Sequence, residues 1–166
     1  MPDLTPQERK ALAVIATMTE PDRLRNFIGN ARQQGSAAVE RAAFERLCKI
    51  QPEATPGTVE HDVWASIHAL EQMLLDERGT TVRLSRTRQK IARDGEAKTA
   101  ADLTLKPAPS AGFTDLIERG HAELTFEAVV LKHPKTFDAD VRRAAAARLT
   151  EAGVDPSEFA PIGEET

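Results

Sequence analysis

Apolar residues recur along most of the chain at helical rather than alternating spacing. Val59, Val63, Ile67, Leu70 and Leu74 follow one another at intervals of four, four, three and four, which keeps them on one side of a 3.6-residue helix. Shorter stripes precede it: Leu12, Val14, Ile15 and Met18; then Leu24, Phe27, Ile28 and Ala31; then Val39, Ala42, Ala43, Phe44, Leu47 and Ile50. The polar residues between them carry start and stop signals. Thr5-Pro6-Gln7-Glu8 has the form of a capping box with proline at the first helical position. Pro21-Asp22 opens a second helix that Gly35 ends, and Ser36 caps a third. Residues 51–57 hold two prolines and a glycine, which makes them a loop.

Thr58 opens the longest helix and Gly79 closes it. A fifth is expected over about residues 82–93 with Gly95 behind it, and a sixth over 98–105, before the break at Lys106-Pro107-Ala108-Pro109. Short and firm helices follow over 110–119 and 138–152, stopped by Gly120 and Gly153. Two segments fit less well. Residues 81–85 alternate, and residues 124–131 are rich in β-branched side chains, so the pair could form a minor β-ribbon. Helix is the preferred reading, because a lone strand pair is marginal in water. The expected fold is all-α, a compact multi-helix domain of about seven to nine helices. Its divisions are an N-terminal three-helix segment over 1–50, a main helical domain over 58–153, and an acidic, loosely held tail over 154–166.

One pattern occurs twice. V-x-R-A-A-x-x-R-L spans residues 39–47 and again 141–149, with Val, the second Ala and Leu on one helical face and the arginines toward its rim. The copies are about a hundred residues apart, longer than the usual solenoid repeat of roughly 30–50, so both a duplication and chance similarity between Ala-rich helices stay open.

Composition narrows the class. Apolar residues are 40% and charged residues 29%, well away from disordered chains. With six Phe, one Trp and no Tyr, the core must come mainly from Leu, Val, Ile and Ala. The longest nearly apolar run, residues 11–18, is far short of the roughly 20 needed to span a bilayer, so no membrane association is expected. The first residues hold no hydrophobic stretch that would read as a secretory signal. The single Cys48 cannot form an internal disulfide, and on its amphipathic helix it reads as a buried structural thiol. A cytoplasmic location is expected.

Candidate chemistry is sparse. Phosphate-binding glycine loops, a G-x-S-x-G elbow and an H-E-x-x-H pair do not occur. His61 and His68 are seven residues apart on the long helix, opposite its apolar stripe, and read as solvent-facing. Two turns separate them by roughly 10 Å, too far to share one ion, and one Cys with dispersed histidines offers no zinc cluster. Asp138 and Asp140 read as helix-start acids. No metal, cofactor or catalytic residue is assigned.

Charge is segregated within a chain of net −4. Residues 58–77 hold Glu60, Asp62, Glu71, Asp76 and Glu77 without a Lys or Arg, whereas residues 80–93 hold Arg83, Arg86, Arg88, Lys90 and Arg93 without an acid. If 82–93 is helical, Arg83, Arg86, Lys90 and Arg93 share a stripe suited to phosphate contacts. In outline residues 87–105 resemble a helix-turn-helix, with Ile91, Gly95, Ala101 and Leu105 at apolar and turn positions. Three uses of the basic run remain: pairing with the acidic helix across a hairpin, contact with DNA, or contact with an acidic protein surface. Few aromatics are present to stack on single-stranded bases. The expected function is a non-enzymatic helical binding or regulatory module that uses the Arg-rich helix. The alternative is a small enzyme or metal-dependent protein built from dispersed carboxylates and histidines.

Overall fold

The computed structural model describes residues 3–161. Among them are nine α-helices, two 3-10 turns and no strand: α1 Pro6–Ile15, α2 Pro21–Gln34, α3 Ala37–Ile50, α4 Val59–Arg78, α5 Ser85–Asp94, α6 Glu96–Leu105, α7 Ala111–Glu118, α8 Phe126–Lys132 and α9 Ala139–Glu151. The all-α architecture expected from periodicity is therefore present. The β-ribbon is not: residues 81–84 are irregular, and the β-branched segment is α8. Ala128, Val129 and Val130 are all buried, and packing on several sides overrides strand propensity there. The chain divides into two compact units that meet in sequence between Glu53 and Ala54.

In the first unit α2 and α3 pack along one another and α1 lies on α3. Gly35, at φ +72°, takes the left-handed conformation that ends α2, and Ser36 N–H then donates to Ala31 O at 2.9 Å. Both halves of the α1 capping box form: Glu8 N–H donates to Thr5 Oγ1 at 3.1 Å, and Thr5 N–H to Glu8 Oε2 at 2.8 Å. Glu8 Oε1 also accepts from the Ser36 hydroxyl at 2.7 Å, which ties the start of α1 to the α2–α3 turn. The Thr5 N–H, then the Ser36 hydroxyl, hold the Glu8 carboxyl below its usual range. Leu24, Ala43, Leu47 and Cys48 are fully buried here, so the thiol is buried as expected.

The second unit is built around α4. Its core joins Val59, Val63 and Ile67 of α4 to Ile91, Ala100, Val129, Val130, Phe137, Val141 and Ala145. α6 packs on α4, α5, α8 and α9, and α8 packs on α9. Thr125 caps α8, accepting from Ala128 N–H at 3.1 Å while its hydroxyl donates to Ala122 O at 2.8 Å. Leu70 and Leu74 are half-buried rather than buried, and Met73 lies inside. The tail is less loose than its composition suggests. Pro156–Phe159 forms a 3-10 turn packed on α8 and α9, with Lys132 Nζ 6.0 Å from the Phe159 ring centroid; residues 162–166 of the expected tail lie outside the described residues.

Both copies of the repeated pattern bury the same three positions: Val39, Ala43 and Leu47 in α3, Val141, Ala145 and Leu149 in α9. Their second arginines are not rim residues alike. Arg46 is half-buried and donates to Met18 O at 2.8 Å, beyond the end of α1. Arg148 is buried, donating to Leu103 O at 3.2 Å, to Lys106 O at the end of α6, and to Glu127 Oε1 at 3.0 Å. Arg148 thus satisfies carbonyls left open where α6 ends, and Arg46 a carbonyl of the α1–α2 connection.

Candidate functional site

The basic run occupies the irregular α4–α5 connection and α5. Because α5 starts at Ser85, Arg83 precedes the helix and does not belong to a helical stripe with Lys90 and Arg93. Arg88 faces α4. Its Nε and Nη2 donate to Glu71 Oε2 and Oε1 at 2.8 and 2.6 Å, a two-pronged fit between guanidinium and carboxylate. Leu84 N–H donates to the same Glu71 Oε2 at 2.8 Å, so one carboxylate also holds the backbone that enters α5. The Arg88 guanidinium lies 5.2 Å over the Trp64 ring, whose N–H donates to Glu96 at 3.2 Å. Burial pushes the Glu71 carboxyl up, but Arg88, the Leu84 N–H and the charge of Arg83 together hold it below its ordinary value.

The other cations of α5 face acids on α5 and α6. Lys90 Nζ donates to Asp94 at 2.8 Å and Asp102 at 2.7 Å, and Lys98 also reaches Asp102 at 3.2 Å. Arg93 donates to Asp94 at 3.3 Å. The Lys90 hydrogen bond, then that of Arg93, lowers the Asp94 carboxyl to about 2. Arg88, Lys90 and Arg93 therefore have partners within the unit. The guanidiniums of Arg83 and Arg86 are exposed and have no hydrogen bond or ion pair among the described residues. Arg78, the last residue of α4, shares that condition, a member of the group that sequence reasoning missed because it lies at the end of an acidic helix.

α5 and α6 do meet at a single residue, Gly95, at φ +89°. The likeness to a helix-turn-helix ends there. α6 buries Thr99, Ala100 and Thr104 in the unit, while Leu105, the residue expected to pack, is 51% exposed.

The histidines also depart from expectation. His61 is buried, 5% exposed, and His68 is half-buried beside Trp64 with ring centroids 6.3 Å apart. Burial lowers the His68 imidazole below its ordinary value, which Arg88 and Arg83 reinforce and Glu71 opposes. His61 Nδ1 lies 3.3 Å from Asp62 Oδ1, and His133 Nε2 lies 2.6 Å from Asp62 Oδ2, so Asp62 links the first turn of α4 to the end of α8. The apolar stripe of α4 gave no sign of this, because α4 is wrapped on several sides near its N-terminus: His61, Ala65, Ser66 and Ala69 are buried with Val63 and Ile67.

A cavity of ≈ 310 Å³ opens within the second unit, between the C-terminal half of α4, the start of α5 and α7. Ile67, Leu70, Met73, Leu103, Phe113 and Phe126 supply much of its wall. Ser66, Thr125 and Glu127 are the buried polar residues on its lining. Gly112 sits against Leu70 so closely that a Cβ there would lie 2.8 Å from Leu70 Cδ1. Arg119 bonds Glu77 near the rim and fastens α7 to α4.

No family model, curated protein or solved structure matches the chain.

Proposed function

We propose that this chain is a non-enzymatic helical binding module that docks an acidic protein segment at the α4–α5 connection through Arg83 and Arg86, with Arg78 beside them in sequence. One observation carries the reading: these guanidiniums are exposed and unpaired among the described residues, whereas Arg88, Lys90 and Arg93 have acidic partners. Exposed arginines keep their full set of forked donors for carboxylates of a partner. The paired cations hold α5 in place and serve as its scaffold. DNA is the less favoured partner. Tight duplex binding commonly neutralises about 6–10 phosphates, and the three arginines of this surface, on a chain of net −4, fall short of that.

Titration of a labelled oligoglutamate peptide and of a random duplex, each at two salt concentrations, tests the reading. The peptide should bind with a salt-dependent affinity that Arg83→Glu/Arg86→Glu abolishes without lowering the melting temperature. Absence of peptide binding by the wild-type chain overturns the proposal, and tighter binding of the duplex transfers the same arginines to nucleic acid.

A further inference from the structure

We propose that the cavity in the second unit binds a free α-amino acid with an apolar side chain, holding that side chain inside and the zwitterionic head between Arg78 and Asp115. The site does not depend on the docking of an acidic segment through Arg83 and Arg86.

Burial sets the polarity of the cavity. Ile67, Met73, Phe113 and Leu116 on its wall are all buried, whereas Asp115 is half-buried and Glu77 and Arg78, at the end of α4, are exposed. Its charged end is therefore its open end, and an amphiphilic ligand enters with the apolar part first. The volume, ≈ 310 Å³, stands at the lower end of the roughly 300–1,000 Å³ typical of small-molecule sites, and suits one amino acid better than a longer peptide.

Among the described residues, four charged side chains line the cavity: Glu77, Arg78, Asp115 and Glu127. Two of them have their charge met within the unit. Arg119 Nη2 donates to Glu77 Oε1, and Arg148 Nη1 donates to Glu127 Oε1 at 3.0 Å. The side chains of Arg78 and Asp115 take part in no hydrogen bond or ion pair among the described residues, with each other or with any other group. The cavity thus presents one unanswered charge of each sign, Arg78 on α4 and Asp115 on α7.

This pair selects the head group. A ligand with a carboxylate alone would meet Arg78 but face the like charge of Asp115, and a ligand with an ammonium alone would do the reverse. Carboxylate and ammonium on one carbon answer both. The carboxylate accepts from the Arg78 guanidinium, and the ammonium donates to Asp115. The side chain borne by the same carbon then carries its apolar surface inward, where Met73 and Phe113 remove it from water.

The experiment is an amide-resolved NMR titration of the full chain with L-phenylalanine. L-phenylalaninamide, N-acetyl-L-phenylalanine and L-serine are the counterparts that lack the carboxylate, the ammonium and the apolar side chain. Phenylalanine should bind saturably at millimolar concentration, with shifts concentrated at Leu70, Met73, Phe113 and Leu116. Each counterpart should bind at least about fivefold more weakly, on the order of one charge-assisted hydrogen bond or one buried apolar side chain. Arg78→Gln should weaken phenylalanine at least about fivefold and leave phenylalaninamide unchanged, whereas Asp115→Asn should weaken phenylalanine as much and spare N-acetylphenylalanine. Arg83→Ala/Arg86→Ala should bind phenylalanine like the wild type, which separates this site from the docking surface. Phenylalaninamide binding as tightly as phenylalanine would make the ligand the first residue of a peptide, and N-acetylphenylalanine doing so would make it the last; either overturns the free amino acid. Phenylalanine that fails to saturate, shifts centred away from the cavity, equal affinity of serine, indifference to Arg78→Gln or Asp115→Asn, or loss of binding in Arg83→Ala/Arg86→Ala also overturns the proposal.

Discussion

Removing Glu71 should loosen α5 more than an ordinary surface charge would. The carboxylate accepts two hydrogen bonds from Arg88 and one from Leu84 N–H, at 2.6–2.8 Å. The Arg88 and Glu71 side chains are 25% and 13% exposed, between the solvent-exposed pairs worth about 0–1 kcal/mol and the buried ones whose disruption costs about 3–5. Glu71→Ala should therefore cost about 2 kcal/mol, which for a unit of this size lowers the melting temperature by roughly 8 °C. Glu71→Ala, Arg88→Ala and the double variant, melted by circular dichroism, form a cycle whose coupling should be about 1.5 kcal/mol. The pH dependence has a definite sign. The folded carboxyl titrates below its ordinary 4.5, so the contribution is complete above that pH and disappears as pH falls through the folded value. Glu71→Ala should flatten this acid limb. A coupling below about 0.3 kcal/mol, within the error of additivity, would refute the claim that this ion pair seats α5.

Ile67 is fully buried in the core of the second unit, so Ile67→Asp should cost more than about 4 kcal/mol and abolish that unit's cooperative melt. Two glycines should respond oppositely. Gly29 lies within α2 with open space around it, and Gly29→Ala should raise stability by up to about 1 kcal/mol; Gly79 ends α4 at φ +71°, and Gly79→Ala should lower it by about 1 kcal/mol. Chemical denaturation of the two variants in parallel checks both signs.

The helical plan was legible because caps and stops act locally. Thr5, Thr58, Ser110 and Asp138 each accept a backbone N–H at a helix start, and Gly35 and Gly79 end helices in the left-handed conformation. At α5 the start signal misled because a tertiary bond replaced it. α5 begins at Ser85 with no side-chain cap, since Glu71, fourteen residues before it, takes the Leu84 N–H instead. The same long-range carboxylate decided the fate of Arg88, which sequence spacing could not separate from Arg86. Periodicity also failed for His61: a stripe identifies one buried face, and α4 is enclosed on more than one by α6 and α8. The cavity left no trace in the chain, for its lining comes from segments as distant as Ser66 and Glu127.

The central claim is a division of labour within one basic run, in which Arg83 and Arg86 bind and Arg88 and Lys90 hold the fold. Arg83→Ala/Arg86→Ala and Arg88→Ala/Lys90→Ala, each measured for melting temperature and for affinity toward oligoglutamate at a temperature where both are folded, test it most directly. The account predicts that the first double variant keeps its melting temperature and loses most of its affinity, while the second melts several degrees lower and binds like the wild type. The reverse pattern, or affinity lost equally in both, contradicts it.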